Sequence, residues 1–322
     1  MIFCRKTLLS AAVFCLFAFA FQLVAGELEK WVPADGLCYG KVSGKVIRES
    51  ALFKNLMQKY PAFQAQLESG RAYIGNYQGD LDTAVFAVSP HTFGTVLLLE
   101  FSKPYDPAAI AAGLAARGRE GAYKKFTVAG KEGFVLTRPT AKERSCFVML
   151  SPRVMLGCPE ASAETVITGP KVSGALAQKL QDCMTAPEVF FRAFHGGAET
   201  ASVFPLYFQD FDITGRLAGD VLKLDCRVKF PDEQTAQNTE IQIRQGMAMM
   251  LGLAFADDAE LGMALYSRIK VKRKKNDISV KASLSADLIE RLVNYSCTQI
   301  EKKKQAKSVQ RARRKTGAPA VQ

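Results

Sequence analysis

The chain has 322 residues, of which 48% are hydrophobic and 23% charged, and this composition is typical of a folded protein of one or two domains. It excludes collagen, coiled-coil and largely disordered proteins. With only two histidines, His91 and His195, we expect neither a histidine-rich metal centre nor most forms of histidine-based catalysis. The formal net charge of +12 raises the question of an anionic partner.

The first 26 residues have the layout of a secretory signal peptide. Arg5 and Lys6 give a basic start, residues 7–25 are uncharged, and small residues precede the expected cut after Gly26. We therefore predict a signal peptide at 1–26 and an exported protein, in the periplasm, in the cell envelope or outside the cell. The alternative is an uncleaved membrane anchor, because the uncharged run approaches the ~20 residues that span a bilayer.

Most of the positive charge lies in the C-terminal segment 302–322, which contains eight basic residues and no acidic one. We predict that this segment is disordered, because it has too few apolar side chains to form a core. Its basic part, 302–315, predicts contact with an anionic membrane surface or an envelope polymer, and a merely solubilising end is the simpler alternative. We expect no nucleic-acid partner, because the protein is predicted to be exported and the basic run 270–275 has no interleaved aromatic residue.

Six cysteines remain after removal of the signal peptide, an even number that permits disulfides in an exported protein. One pair follows from hairpin geometry: a three-residue turn at 151–153 places Cys146 opposite Cys158, with Cα atoms about 4.5–5.5 Å apart, within disulfide range. A two-residue turn would shift the register by one residue. The other cysteines fall on apolar faces, where we expect buried small side chains: Cys38, Cys183, Cys226 and Cys297.

Hydrophobic periodicity and turn residues predict an α+β first half at 27–186. This half begins with a strand, a helix and a hairpin. A second helix and a second hairpin come next, and a cysteine-containing hairpin and a last helix complete it. The strands are predicted at 37–42, 82–88, 95–101, 123–128, 133–137 and on both sides of the turn at 151–153, and the helices at 52–70, 106–121 and 173–186.

The second half, 187–301, repeats this order without the cysteine hairpin. The strands are predicted at 189–194, 211–217, 221–230, 267–273 and 277–283, and the helices at 200–208, 231–256, 257–266 and 285–300. We therefore predict two related halves, each an antiparallel sheet with helices packed on one face. The alternative is a single larger α+β domain.

No Cys-x-x-Cys, His-Glu-x-x-His or Gly-x-Ser-x-Gly motif occurs in the sequence. The segment 40–46 resembles a phosphate-binding loop, but it has three residues between its glycines where four are needed, and no Ser or Thr after the lysine. His195, with Glu199 near it in sequence, is the better catalytic candidate of the two histidines, although no nucleophile can be assigned to it. We predict no catalytic, cofactor-binding or metal-ligating residues and no cofactor.

Two Asp-x-Asp pairs enter hairpin strands at corresponding positions of the two halves, Asp80 with Asp82 and Asp210 with Asp212. Carboxylates two residues apart on a strand share a face and can share a cation, but two ligands are too few for a metal site. We expect them to serve turns and strand edges instead.

These observations predict an exported, envelope-associated protein with a non-catalytic binding or structural role. One alternative is an exported hydrolase or transferase whose site is assembled from scattered Asp, Glu, Ser and Lys residues. The other is a carrier of a lipid or a hydrophobic peptide. It would use a Phe- and Met-rich cleft between the two halves, with Met247, Met249 and Met250 on a helix that is apolar nearly all round.

Overall fold

The computed structural model describes residues 28–61, 64, 81–89, 94–106, 108, 123–136, 144–185, 188–196 and 208–316. Three predicted segments lie outside this range: the signal peptide, the helix at 106–121 except for residues 106 and 108, and the helix at 200–208 except for its last residue. In the described part of the chain, twelve strands form one sheet: β1 Cys38–Ser43, β2 Leu81–Ser89, β3 Gly94–Phe101, β4 Tyr123–Val128, β5 Lys131–Leu136, β6 Ser145–Ser151, β7 Val154–Pro159, β8 Val189–His195, β9 Asp210–Ala218, β10 Val221–Lys229, β11 Ile269–Lys274 and β12 Asp277–Ser285.

Seven α-helices accompany the sheet in the described residues, with short 3₁₀ turns at Glu29–Trp31 and Glu160–Ser162. The helices are α1 Gly44–Glu49, α2 Ala51–Lys59, α3 Ala163–Thr168, α4 Gly174–Thr185, α5 Glu233–Ala254, α6 Ala259–Ser267 and α7 Ala286–Thr316.

All strand pairs are antiparallel, and the two halves of the chain meet where β1 pairs with β8. The full strand order is β11-β12-β10-β9-β8-β1-β2-β3-β7-β6-β5-β4. Outward from the centre, β8-β9-β10-β12-β11 corresponds to β1-β2-β3-β5-β4, with the hairpin β6–β7 inserted between β3 and β5. The predicted α+β class with an antiparallel sheet is confirmed.

Side-chain alternation along the strands creates a core on each face of the first half. On one face, Leu98 and Leu156 pack with Leu180 of α4, and α3 joins this core. On the other face, Leu99 packs with Ile47 of α1, and side chains of α2 and α7 complete the core. Helices α3 and α4 therefore lie on the face opposite to α1, α2 and α7, which differs from the predicted packing of helices on one face.

Among the described residues, helices cover the second half of the sheet on one face only. Along β10, Leu222, Leu224 and Val228 contribute to the cores beneath α5 and α7. The residues between them, 223, 225, 227 and 229, are charged and belong to the opposite face. Period-two alternation between apolar and charged residues is what a strand with one solvated face requires.

The cysteine hairpin has the predicted register but a different turn. Its turn has two residues, since Ser151 pairs with Val154, and an irregularity between Met149 and Ser151 restores the alignment. Cys146 therefore lies opposite Cys158, but their sulfur atoms are 3.7 Å apart and both are free thiols, whereas a disulfide needs about 2.05 Å. The pair is in contact and not bonded.

The C-terminal segment differs from its predicted disorder, because α7 continues to Thr316. Lys, Arg, Gln and Ala are good helix formers, and the packed part of α7 before residue 302 supplies the nucleus. Extension of an existing helix fixes one residue for each hydrogen bond gained, so the segment needs no core of its own.

One glycine marks the closest approach at the centre of the sheet. Gly40 on β1 lies opposite Phe86 on β2, and a Cβ atom at residue 40 would be 2.0 Å from the ring of Phe86. That ring stacks on Phe191 of β8, with 6.4 Å between the ring centroids. Phe86 therefore bridges the two halves over the space that Gly40 leaves.

We expect Gly40→Ala to lower the free energy of unfolding by about 1–3 kcal/mol, because the added methyl group must displace the Phe86 ring. The matched control is Gly246→Ala on α5, where a Cβ atom meets nothing within 4 Å. The control should raise the free energy of unfolding by about 0.5–1 kcal/mol, as for alanine in a helix interior. Urea unfolding measures both, and an unchanged Gly40→Ala variant would contradict the packing described.

Candidate functional site: the helical corner

Helices α5, α6 and α7 meet at one place in the second half, which we call the helical corner. It comprises residues 245–267 and the part of α7 from Arg291 onward. The stretch 245–256 contains no charged residue, so the end of α5 is apolar on its outer as well as its inner side. An uncharged helix of this kind is normally buried on all sides.

The inner side of α5 packs on the sheet. Ala236 is fully buried, and Ile243 and Met247 contact the core around Phe230 and Ile278. At the start of the helix, the Asp232 carboxylate accepts the Thr235 backbone N–H at 2.7 Å and the Thr235 hydroxyl at 2.7 Å, and these bonds hold the pKa of Asp232 below its usual value. The cap and the inner stripe together fix which side of α5 faces outward.

A tight turn joins α5 to α6. Asp258 caps α6 by accepting the Leu261 N–H at 3.0 Å. Gly262 allows the two helices to approach, since a Cβ atom there would lie 3.3 Å from Cβ of Phe255. Leu261 and Leu265 of α6 are buried with Leu288 of α7, which fixes α6 between its neighbours.

The outer side of this helix pair is unusually apolar. Met249, Leu253 and Met263 have 63%, 54% and 68% of their surface exposed. Among the described residues, all five large hydrophobic side chains that are exposed belong to α5 or α6; the other two are Ile241 and Tyr266. Because Ile241, Met249 and Leu253 are eight and four residues apart, they form one stripe along α5. Single exposed apolar residues are common, whereas their concentration on one element indicates an interaction site.

Helix α7 is attached to the α5–α6 turn by polar contacts. The Tyr295 hydroxyl donates to the Ala254 carbonyl at 2.9 Å, and the Tyr295 and Phe255 ring centroids are 5.0 Å apart. One helical turn further on, Gln299 donates to Asp257 at 3.1 Å, and Lys302 Nζ is 3.7 Å from the same carboxylate. Lys302 is the first of the eight basic residues, so the basic part of α7 begins at the α5–α6 turn and extends about 22 Å beyond it.

A shallow pocket of about 270 Å³ lies between α7 and this turn. Polar and charged residues line it, among them Asp257, Asp258, Arg291 and Asn294. This is not the apolar cleft that a lipid carrier would need. The methionines proposed to line such a cleft point to different sides of α5, because Met247 packs on the core while Met249 is exposed.

The histidine and aspartate candidates lie elsewhere. His195, at the end of β8, contacts the rings of Phe208 and Phe211, and its buried Nε2 has no hydrogen-bond partner among the described residues. Asp212 forms an ion pair with Arg192 at 2.6 Å. Asp82 lies between two guanidinium groups, those of Arg48 and Arg153, at 3.8 and 3.6 Å. The partners Asp80 and Glu199 are outside the described residues, in which no three potential metal ligands come together.

A second group of polar residues is buried in the first half. Ser43, Thr83 and Glu100 lie opposite one another across β1, β2 and β3, and all three are almost fully buried. Lys41, also buried, is two residues before Ser43 on the same face of β1. In the described part of the chain the hydroxyl oxygens of Ser43 and Thr83 have no hydrogen-bond partner. The arrangement brings a lysine and two hydroxyl groups to one face of the sheet.

The exposed residues of the helical corner were not identified from the sequence. The methionines were interpreted as lining a cleft, and Leu253, Met263 and Tyr266 were not singled out. The available signal was the absence of charge in 245–256 within a helix that follows charged residues. A buried helix and an outward-facing apolar helix share this signal, so only packing distinguishes them.

No protein-family model matches the chain, and no curated protein matches it. Among solved structures, three crystal forms of TP0453 are similar in fold. Form III has a TM-score of 0.47 at 9% identity and covers 84% of this chain and 97% of that one. Form I has a TM-score of 0.44 at 8% identity, covering 85% and 98%, and form IV has 0.43 at 10% identity, covering 84% and 96%. Similarity at this level carries no functional argument.

Within the described ranges, no helix combines the length and apolarity needed to cross a membrane.

We expect Asp257→Ala to loosen the basic part of α7, because Gln299 and Lys302 both contact that carboxylate. Amide hydrogen exchange over 300–316 should become faster, whereas exchange over 286–298, which packs on the core, should not change. Glu260→Ala is the matched control, since it removes only the contact with Arg291. Equal exchange over 300–316 in both variants would show that Asp257 does not hold the segment.

Proposed function

We propose that the protein is exported and acts at the cell envelope as a non-catalytic binding protein that docks on an anionic membrane surface through the helical corner. The observation that carries this proposal is the position of the exposed apolar side chains of α5 and α6 beside the start of the basic part of α7. Apolar insertion and charge attraction are the two components of peripheral membrane binding.

The two components reinforce each other at this corner. Exposed Met and Leu side chains enter the boundary between headgroups and acyl chains, where each gains the free energy of leaving water. Each Lys or Arg close to an anionic leaflet contributes about 1 kcal/mol. The basic part of α7 extends well beyond the Debye length of about 8 Å at physiological salt, so its charges act only when the segment lies on the surface itself.

The position of Leu28, close to the predicted cleavage site, is compatible with removal of the signal peptide. Leu28 is fully buried in the core and accepts a hydrogen bond from the Trp31 N–H through its carbonyl at 2.9 Å. Leu28 lies two residues after Gly26, so a cut after Gly26 keeps this core residue in the mature chain. An uncleaved anchor would instead join the core with almost no linker, which would hold the body against the membrane.

An alternative is favoured by one observation, the buried row of Ser43, Thr83 and Glu100 beside Lys41. A serine and a lysine on one face are the parts of a Ser-Lys hydrolase or transferase site. Turnover of general hydrolase substrates that survives repurification and is lost in Ser43→Ala would favour this enzyme over the binding role. The other alternative is a carrier of a lipid or a hydrophobic peptide. Neither the pocket lined by polar residues nor the methionines, which point to different sides of α5, support it.

We expect Leu253→Trp to report membrane docking directly. In phosphatidylglycerol vesicles with brominated acyl chains, fluorescence of the new tryptophan should be quenched, because the side chain at 253 enters the acyl boundary. Ser283→Trp is the control, since residue 283 is exposed on the opposite face of the sheet. Trp31, present in both variants and in the wild type, is subtracted as background. Equal quenching at 253 and 283, or none at 253, would contradict docking through this corner.

Replacement of Lys307, Arg311 and Arg314 by Gln should weaken binding to the same vesicles at least tenfold, since each charge contributes about 1 kcal/mol. Higher salt should have the same effect on the wild type and less effect on the variant. Insensitivity to both changes would leave the apolar side chains as the only contribution and would remove the requirement for an anionic surface.

Export also predicts the state of the cysteine pair. In an oxidising compartment, an oxidised dithiol oxidoreductase can accept the two electrons and two protons that Cys146 and Cys158 lose as their sulfur atoms move from 3.7 Å to bonding distance. The contact between the thiols lowers the pKa of Cys146 and, with burial, raises the pKa of Cys158.

The intact mass of the protein from fractionated native cells should correspond to a chain that starts at Glu27 and is lighter by two hydrogen atoms. Cys146→Ser should abolish the loss of hydrogen, whereas Cys226→Ser should not. A full-length chain whose mature cysteines all react with an alkylating reagent would contradict both export with cleavage and the disulfide.

A further inference from the structure

The second half of the sheet has a face that no described helix covers, formed by one side of β9, β10, β11 and β12. We call it the open face. Register assigns its members, because directly opposed residues share a face: Arg216 lies opposite Lys223, and Lys270 lies opposite Lys281, which lies opposite Asp225. This face is therefore continuous across four strands.

The open face carries more positive than negative charge. Two of its four aspartates are already paired, Asp212 with Arg192 at 2.6 Å and Asp225 with Lys281 at 3.1 Å. Six exposed cations on this face form no ion pair within the described residues: Arg216, Lys223, Lys229, Lys270, Lys272 and Lys274.

These cations differ in what lies opposite them: Lys229 and Lys274 face aspartates, Asp210 and Asp277, whereas others face a second cation. Arg216 is directly opposite Lys223, and Lys270 is directly opposite Lys281. Like charges at opposed positions of an antiparallel pair are destabilising. A solvated strand face needs only polar residues, so these two like-charge pairs and the excess of positive charge on the face indicate a requirement from outside the fold, namely an anionic partner that neutralises them.

The chemistry of the open face identifies the class of partner. Alternate lysines along β11 are about 6.6 Å apart and neighbouring strands about 4.8 Å apart, which suits a linear polymer with regularly spaced anionic groups. Five of the six cations are lysines, which act as point charges without the fork geometry that selects a phosphate. Ser283, which is exposed on this face opposite Lys223, adds a hydroxyl group that can bond to the hydroxyl groups of a sugar.

Other anionic partners fit less well. The four strands place no aromatic residue on this face, so it offers no platform on which bases of single-stranded nucleic acid can stack. It also has no large apolar side chain that could enter a bilayer, and it lies on the side of the sheet opposite to the helical corner. We propose that the open face binds a linear anionic polysaccharide.

This binding is independent of membrane docking, because the two surfaces lie on opposite sides of the sheet and share no residue. When the protein is docked on a membrane through the helical corner, its open face points away from the membrane. The protein would then join an anionic envelope polysaccharide to the membrane surface.

The test compares two triple variants of the full mature chain by calorimetric titration with heparin and with polygalacturonate, a sulfated and a carboxylated polysaccharide. The first variant, Lys270→Gln with Lys272→Gln and Lys274→Gln, removes three charges from the open face. The matched control, Lys54→Gln with Lys124→Gln and Lys125→Gln, removes three exposed charges from the first half. Thermal unfolding of both variants checks that they are folded.

We expect the open-face variant to bind both polysaccharides at least tenfold more weakly and the control to bind within about threefold of the wild type. Unchanged binding in the open-face variant, or equal weakening in both variants, would overturn the proposal, because binding would then depend on the basic part of α7 or on total charge. Tighter binding of poly(dT) or of phosphatidylglycerol vesicles, with the same loss in the open-face variant, would assign the surface to nucleic acid or lipid instead. A negative vesicle result with the Leu253→Trp variant would leave this proposal unaffected.

Discussion

The pairing of β1 with β8 is the contact on which the rest of the structure depends, because it joins two half-sheets into one. Its register aligns Cys38 with His195 and Val42 with Phe191. Stacked aromatic rings support this strand pairing on both faces of the sheet. Tyr39 stacks on Phe194 on one face, and Phe86 stacks on Phe191 on the other. With β1 and β8 fixed, each half adds its remaining strands outward, and the helices of one half can pack on the other.

The two halves of the continuous sheet differ in how many of their faces are covered by helices. The first half buries both faces, with α1 and α2 on one and α3 and α4 on the other. In the described part of the chain, the second half has helices on one face only, with a charged face that no described helix covers and an apolar helix pair at the corner. The two proposed binding surfaces are thus both consequences of a single layer of helices on the second half.

Local patterns predicted the α+β class, nearly all the strands and the bounds of α5, because alternation and capping are encoded within a few residues. The alignment of Cys146 with Cys158 was right, although the turn was wrong, because a bulge compensated for the shorter turn. The helical state of 302–316 was missed, since it depends on a helix nucleus formed by packing elsewhere. The exposure of Leu253 and the lack of a described helix over the open face were also missed. Other elements decide which face of a helix or strand is covered, and local sequence patterns do not contain that information.

The described sheet ends in two edge strands, β11 and β4, and both carry lysines. Unpaired N–H and C=O groups on such edges are templates for the addition of another strand, and lysine repulsion is a common defence against it. A polyanion that neutralised the lysines of β11 would remove this defence at one edge while holding several chains along the same polymer. Occupation of the open face would then favour edge-to-edge assembly, which the free protein resists.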